Sequence, residues 1–265
     1  MTAQADIEWK ASLYGRFEAE RTRAAIDLLA AVPLTECRFV VDLGCGPGNS
    51  TALLVDRFQG AEVRGLDTSE DMLASARARL PSVRFEQGDV ATWQPDTPVD
   101  LIFANAVLHW VPDHADLLPR LMERLTPGGV LAFQVPDNEA EPTHRLMREV
   151  AQSGPWAKAL RGAGEARAQI STPAAYYGWL ASHASRIDLW QTTYTHVLPG
   201  PGAIVDWMAG AGLTPYLSRL NAADAQAYRA AYLAKIAEAY PVAADGAVLL
   251  PFPRLFCVAV RYWFA

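Results

Sequence analysis

The chain has 265 residues, 23 Lys and Arg against 29 Asp and Glu for a formal charge of −6, and a hydrophobic content of 51%. Length and apolar content together provide for a large core, which excludes disorder as the main state. The acidic balance disfavours nucleic acid as a partner, because that affinity comes from clustered cations. No apolar run reaches the ~18–20 residues that span a bilayer, and residues 1–10 carry no basic stretch ahead of an apolar one. The expectation is a cytoplasmic protein without a membrane partner.

Residues 5–32 read as a helix, with Leu13, Phe17, Ala24, Leu28 and Leu29 at helical spacing and Pro33 as its stop. A strand follows over 38–43, then a glycine turn, then a helix over 50–58. A second strand is expected over 61–66, a helix over 69–80 capped by Thr68 or Ser69, and a third strand over 83–86. Strand 99–104, helix 112–125, the turn Pro127-Gly128-Gly129 and strand 130–135 continue the alternation. Near-continuous apolar strands separated by helices predict a parallel sheet buried on both faces, a doubly wound α/β fold. Beyond Pro136, helices are expected over 142–153, 173–181 and 222–240. Strands are expected over 187–197 and 254–263, the last as an antiparallel neighbour closing the sheet. Segments 137–180 and 200–247 read as insertions.

Cys37, Cys45 and Cys257 are too few and scattered for a disulfide framework or a Cys-x-x-Cys site, and the five histidines show no metal-ligand spacing. No metal is expected. Cys45 reads as a small filler against the sheet, and His114 and His144 as surface or cap residues.

Ligands of open α/β sheets sit beyond the carboxyl ends of the strands, near the reversal of strand order. The first strand ends in Asp42-Leu43-Gly44-Cys45-Gly46-Pro47-Gly48-Asn49, a turn that lets a ligand lie against the backbone. Asn49 stands where a dinucleotide fingerprint needs glycine, and the Gly-Lys-Ser/Thr of a phosphate loop is missing. Asp42 beside the turn would repel a pyrophosphate and favour a cationic ligand. Asp67 after the second strand can accept hydrogen bonds from ribose hydroxyls, and Asp89 after the third from an adenine amine. One such Asp alone is ordinarily a turn or cap residue. Three of them joined to the glycine turn point instead to a nucleoside-bearing cation.

On these residues the chain resembles the class I S-adenosylmethionine-dependent methyltransferases. The resemblance implies a Rossmann-like, seven-stranded, mostly parallel sheet with an antiparallel last strand and helical insertions over the active site. It implies S-adenosylmethionine as cofactor, with Gly44 and Gly46 at its methionyl part, Asp67 at the ribose, Asp89 and Val90 at the adenine, and Asn105 under the sulfonium. A further similarity runs along most of the chain, through Trp9 to Tyr14, Asp100 to Ala106, Pro136-Asp137-Asn138, Trp190 to Tyr194 and Phe252 to Phe256. In these segments the sequence looks like the bacterial trans-aconitate methyltransferases, which implies methylation of one carboxylate to a monomethyl ester. The organisation expected is one domain over 1–265: a helical lid at 1–33, a cofactor-binding core at 34–136, and insertions and C-terminal strands at 137–265 that form the substrate pocket.

A carboxylate is ionised at neutral pH, its pKa being near ~4, so its methylation calls for orientation and exclusion of water rather than a general base. A small-molecule polycarboxylate needs Arg forks or Tyr, Trp and His donors around it. The candidates are His109 and Tyr14 at the reaction centre, and Trp110, Tyr176, Tyr177, Arg145, Arg219 and Arg254 around the substrate. Trp9 and Tyr14, about one and a half helical turns apart, are read either as part of a lid over the nucleoside or as a helix docked by its apolar side. Tyr176, Tyr177, Trp190 and Trp207 suit core packing better than a ligand contact, and His109 can equally cap or pack the following helix. Two other readings stay open: a methyltransferase for another small acid or a malonyl thioester, and a non-catalytic S-adenosylmethionine-binding protein. A nicotinamide dehydrogenase is disfavoured by Asn49 and Asp42. The oligomeric state is left open.

Overall fold

The computed structural model describes residues 17–210 and 212–263. Trp9 and Tyr14 lie outside the described residues. In chain order the elements are α1 (Glu18–Ala30), β1 (Phe39–Leu43), α2 (Asn49–Arg57), β2 (Glu62–Asp67), α3 (Glu70–Arg79), β3 (Arg84–Gln87) and β4 (Val99–Asn105). A 3-10 turn at Leu108–Trp110 precedes α4 (His114–Glu123) and β5 (Leu125–Pro136). Then come α5 (Pro142–Ser153), a 3-10 turn at 163–166, α6 (Pro173–Leu180), β6 (Ala184–Leu198), α7 (Pro201–Ala209), α8 (Thr214–Leu217), α9 (Ala222–Ala239) and β7 (Val248–Arg261).

The chain divides into two compact units. The core unit holds residues 18–136, 168–192 and those from Arg254 onward; the second unit holds 137–167 and 193–253. What reads as insertions in the sequence thus gathers into a unit of its own, while 168–192 returns to the core unit.

The sheet has the order β3-β2-β1-β4-β5-β7-β6. β1 runs parallel to β2 on one side and β4 on the other, with Asp42 level with Gly65 and Phe103. Strand order therefore reverses at β1, which places a ligand crevice beside its carboxyl end. The local reasons are conventional. α1 buries Ala24, Ala25, Leu28 and Leu29 on one helical face. In α3, Ser69 Oγ accepts from the Met72 amide, Glu70 and Asp71 open the helix, and Arg77 and Arg79 close it, each sign favourable to the macrodipole.

β5 and β7 pair antiparallel, with Phe133 opposite Cys257 and Gln134 opposite Phe256, and β7 is also the neighbour of β6. β7 begins at Val248 rather than at residue 254, so it includes Pro251 and Pro253, which a strand admits where their missing amides are not needed. β5 also begins early: the expected turn at 127–129 is absorbed as an irregularity in which Val99 pairs with Leu125 but Leu101 with Val130. Gly128 adopts φ 76° there, and Thr126 Oγ1 donates to Asp100 Oδ1 at 2.9 Å.

The second unit packs around Met147, Val150, Trp207, Tyr228, Tyr232 and Ile236. Its buried tyrosines have acceptors, Tyr228 donating to the Met147 carbonyl at 3.0 Å and Tyr232 to that of Thr143 at 3.1 Å. Trp207 is a core residue here, stacked at a tilt on His196. No described helix is long and apolar enough to cross a membrane.

Candidate active site at the carboxyl ends of the strands

The turn after β1 is lashed to β2. The amides of Gly44 and Cys45 both donate to the Leu66 carbonyl, at 2.7 and 3.0 Å, and the Gly46 amide donates to Asp67 Oδ2 at 2.9 Å. The other oxygen of Asp67 accepts from the Ser69 amide at 2.9 Å, so one carboxylate ties the glycine turn to the start of α3. Burial pushes the Asp67 carboxyl above its ordinary range, against the pull of these backbone amides. The two cofactor candidates Gly46 and Asp67 are thus in direct contact.

Gly44 and Gly46 have positive φ, 67° and 53°, for different ends. A Cβ on Gly44 would overlap the Val107 side chain, so this glycine permits close packing. A Cβ on Gly46 would meet nothing within 4 Å. The Gly46 backbone therefore faces open space, the kind of cradle a ligand needs. Gly46→Ala should lower stability by only about 1–2 kcal/mol, the cost of a left-handed alanine, while placing a methyl group in the cradle. Thermal unfolding and ligand titration of the same variant separate the two effects.

Asp42 requires a correction. It is fully buried, and its Oδ2 accepts from Ser50 at 2.8 Å and from Thr51 at 2.7 Å. Burial, only partly offset by those hydroxyls, raises its carboxyl to about 7. It is buried rather than turned to a ligand, and through Ser50 and Thr51 it anchors α2 beneath the glycine turn. Ser50 and Thr51 are the residues that sequence reasoning left out. Asp89 is exposed and its Oδ1 accepts from the Ala91 amide at 2.8 Å, while the Val90 side chain is packed in the core. Cys45 is buried and its thiol is pushed far up, as a filler's should be.

At the end of β4, Asn105 is half-buried and Ala106 takes φ 56°, a left-handed conformation unusual for a residue with a Cβ. The Ala106 amide donates to the Gln134 carbonyl at 3.0 Å, and the Asn105 side chain meets that of Gln134. Arg254, expected at the substrate, is buried and donates to Gln134 Oε1 at 2.9 Å. Gln134 went unnoticed in the sequence.

The 3-10 turn carrying His109 and Trp110 follows. His109 is buried, its ring 4.8 Å from that of Trp110, and its carbonyl accepts from Ala168 at 2.9 Å. His114, expected as a surface or cap residue, is buried and fixes this turn. A carbonyl only accepts, so Nε2 carries the proton donated to Leu108 at 2.8 Å, and Nδ1 accepts from the Tyr176 hydroxyl at 2.7 Å. Burial holds the His114 ring below its ordinary pKa. Tyr176 is accordingly a core residue, fully buried between His114 and Phe133, and not a substrate contact. Tyr177, on the next face of α6, is exposed. Trp190 stacks on Phe256 at 4.8 Å.

Within the second unit, Arg145 is an exposed side chain paired with Glu149 at 3.5 Å, and exposed Arg219 donates to the Arg161 carbonyl at 2.8 Å. Both are surface positions, because their helical or loop faces turn away from the apolar core. His144, expected as a surface or cap residue, is instead buried beside Arg167 at 2.5 Å, and burial with two nearby guanidiniums holds it well below its ordinary pKa. Arg167 also pairs with Glu139 at 3.2 Å, as does Arg148 at 2.6 Å. Among the described residues no cluster of His, Cys, Asp or Glu could hold a metal.

A doubly wound sheet with this strand order, a glycine cradle at the switch point and Asp67 at the neighbouring strand end defines a class I methyltransferase. A sequence profile described as Methyltransferase domain matches residues 40–129. Among solved structures, YcgJ from Bacillus subtilis superposes over 91% of this chain and 99% of its own, with a TM-score of 0.57 and 13% identity. Phosphoethanolamine N-methyltransferase 2 from Haemonchus contortus, in complex with S-adenosylhomocysteine, gives 0.56 over 91% of this chain and 52% of its own, with 15% identity. Two curated relatives are both named Trans-aconitate 2-methyltransferase. That of Azoarcus sp. is 57% identical over 96% of this chain and 99% of its own, and that of Methylobacterium nodulans 56% identical over 96% and 98%. The chain belongs to the trans-aconitate 2-methyltransferase family and is an enzyme.

Proposed function

We propose that the chain transfers a methyl group from S-adenosylmethionine to one carboxylate of trans-aconitate, giving a monomethyl ester. The observation that carries this reading is the extent of the similarity. Identity of 56–57% runs over 96% of the chain, through both compact units, and not over the 40–129 core alone. The chemistry at the strand ends fits the cofactor: an open backbone cradle at Gly46 and a half-buried Asp67 carboxylate with acceptor capacity beyond the Gly46 and Ser69 amides. When bound, S-adenosylmethionine supplies a methyl group on a positively charged sulfur.

The residues of the chain do the rest by placement. The acid arrives ionised, since a carboxylate pKa lies near ~4, so no proton has to be removed and no side chain serves as general base. Holding the carboxylate oxygen in line with the methyl and away from water supplies up to ~7–11 kcal/mol of barrier lowering. His109 and Trp110, fixed by His114 and by Ala168, stand at the strand end where that orientation is set.

Two measurements test the reading. Calorimetry with S-adenosylhomocysteine should give saturable binding, and none at generous excess contradicts the cofactor. Incubation with methyl-labelled cofactor and a panel of organic acids should label trans-aconitate ester. Label found only in a malonyl thioester or another acid assigns a different substrate to the same core, and binding without any transfer favours a non-catalytic role.

A further inference from the structure

The end of β4 carries a hydrogen-bond chain whose direction is set from outside the strand. Arg254 Nη1 donates to Gln134 Oε1 at 2.9 Å, and Gln134 Nε2 donates to Asn105 Oδ1 at 2.7 Å. Gln134 is fully buried and Arg254 nearly so. A guanidinium has donors and no acceptor. Gln134 must therefore turn its oxygen to Arg254 and its NH2 to Asn105, and Asn105 must in turn give up its oxygen to Gln134. The polarity of two amides, normally free to flip by 180°, is thus dictated by one cation on β7. With its oxygen turned to Gln134, what this residue offers at the carboxyl end of β4 is its NH2 group. Asn105 is half-buried, makes no other side-chain hydrogen bond among the described residues, and precedes the left-handed Ala106, which holds the chain in a sharp turn at that point.

We propose that Arg254 and Gln134 are positioning residues that fix the amide of Asn105 so that its Nδ2 donates to a carboxylate bound at the end of β4. The inference rests on the methyltransferase reading of that strand end and deepens it. Both ligands of the proposed reaction carry a carboxylate, the amino-acid end of the cofactor and the acceptor acid. An acceptor atom turned toward either would repel it; a donor bonded to a charged group contributes about 10- to 150-fold in affinity.

The test is Gln134→Glu. A Glu at this position accepts from Arg254 but has no donor for Asn105, so the Asn105 amide reverses and presents its oxygen. The expected result is a Tm at or above that of the unaltered protein with kcat/KM lowered about 10- to 100-fold. A weaker Kd for S-adenosylhomocysteine identifies the cofactor carboxylate as the recipient, and a raised KM for the acid with that Kd unchanged identifies the acceptor. Asn105→Ala combined with Gln134→Glu should lose no more than Asn105→Ala alone, since both act through one donor. Unchanged Kd and KM in Gln134→Glu, or fully additive losses, overturn the proposal. If Gln134→Glu fails to fold, Arg254 decides: Arg254→Lys, still donor-only, should recover most of the activity that Arg254→Gln loses, and equal losses refute the relay. Absence of S-adenosylhomocysteine binding by the unaltered chain would refute the methyltransferase reading itself, a result distinct from all of these.

Discussion

Replacing Asp67 with Ala should weaken S-adenosylhomocysteine binding by about 1.5–3 kcal/mol, roughly 10- to 150-fold in Kd. The side chain has two tasks. It offers the remaining lone pairs of a carboxylate to a ribose at the switch point, and it holds the amides of Gly46 and Ser69 at 2.9 Å each. Truncation leaves both amides without their acceptor, which should cost a further ~1–3 kcal/mol in folding stability. Asp67→Asn separates the tasks, because its single amide oxygen can still accept from one of the two amides. It should fold better than Asp67→Ala and yet bind the ligand nearly as poorly. Asp89→Ala should do less in both respects, since Asp89 is exposed and caps only its own turn through Ala91. Calorimetry and thermal unfolding on the three variants check the order. Undiminished affinity in both alanine variants would place the nucleoside elsewhere.

Much of this site is legible in the sequence because it lies at strand ends, and strands buried on both faces announce themselves as apolar runs. Val40-Val41 before a glycine turn, and Leu66 before Asp67, fix where the crevice must open. The illegible part depends on partners far along the chain. Tyr176 and His114 are 62 residues apart, and Tyr176 lies on a short helix with no amphipathic signature, so aromatic character alone favours core packing without excluding a substrate contact. Gln134 sits in the run Phe133-Gln134-Val135, where one polar residue does not disturb the pattern of a buried strand. Its significance comes from Arg254, 120 positions later. Likewise the acids at 42 and 67 look alike as residues that close a strand. One has no exposed surface and the other is half-buried, and only the packing of α2 on β1 decides which is which.

That distinction gives the second large effect, a pH dependence. Asp42 has its carboxyl raised from 3.8 to about 7 by burial. Below pH ~4 the group is protonated both folded and unfolded, and it favours neither state. As pH rises above ~4 the unfolded chain releases this proton first, so the folded state loses stability progressively until about pH 7, where the folded carboxyl ionises as well. A rise of about three pH units corresponds to a loss on the order of 4 kcal/mol at ~1.4 kcal/mol per unit. Asp42→Asn removes the titration and keeps an oxygen for Ser50 and Thr51. Denaturant unfolding of the two proteins from pH 4 to 8 should therefore show curves that diverge, the Asn variant losing less stability with rising pH and being the more stable above pH 7. The other titrating groups are present in both, so parallel curves would mean that Asp42 stays ionised in the fold. In that case its charge would after all be available to attract a cation. If instead the curves diverge, affinity for S-adenosylhomocysteine in Asp42→Asn should fall far less than in Asp67→Ala, because the carboxylate that meets the ligand is the one with exposed surface.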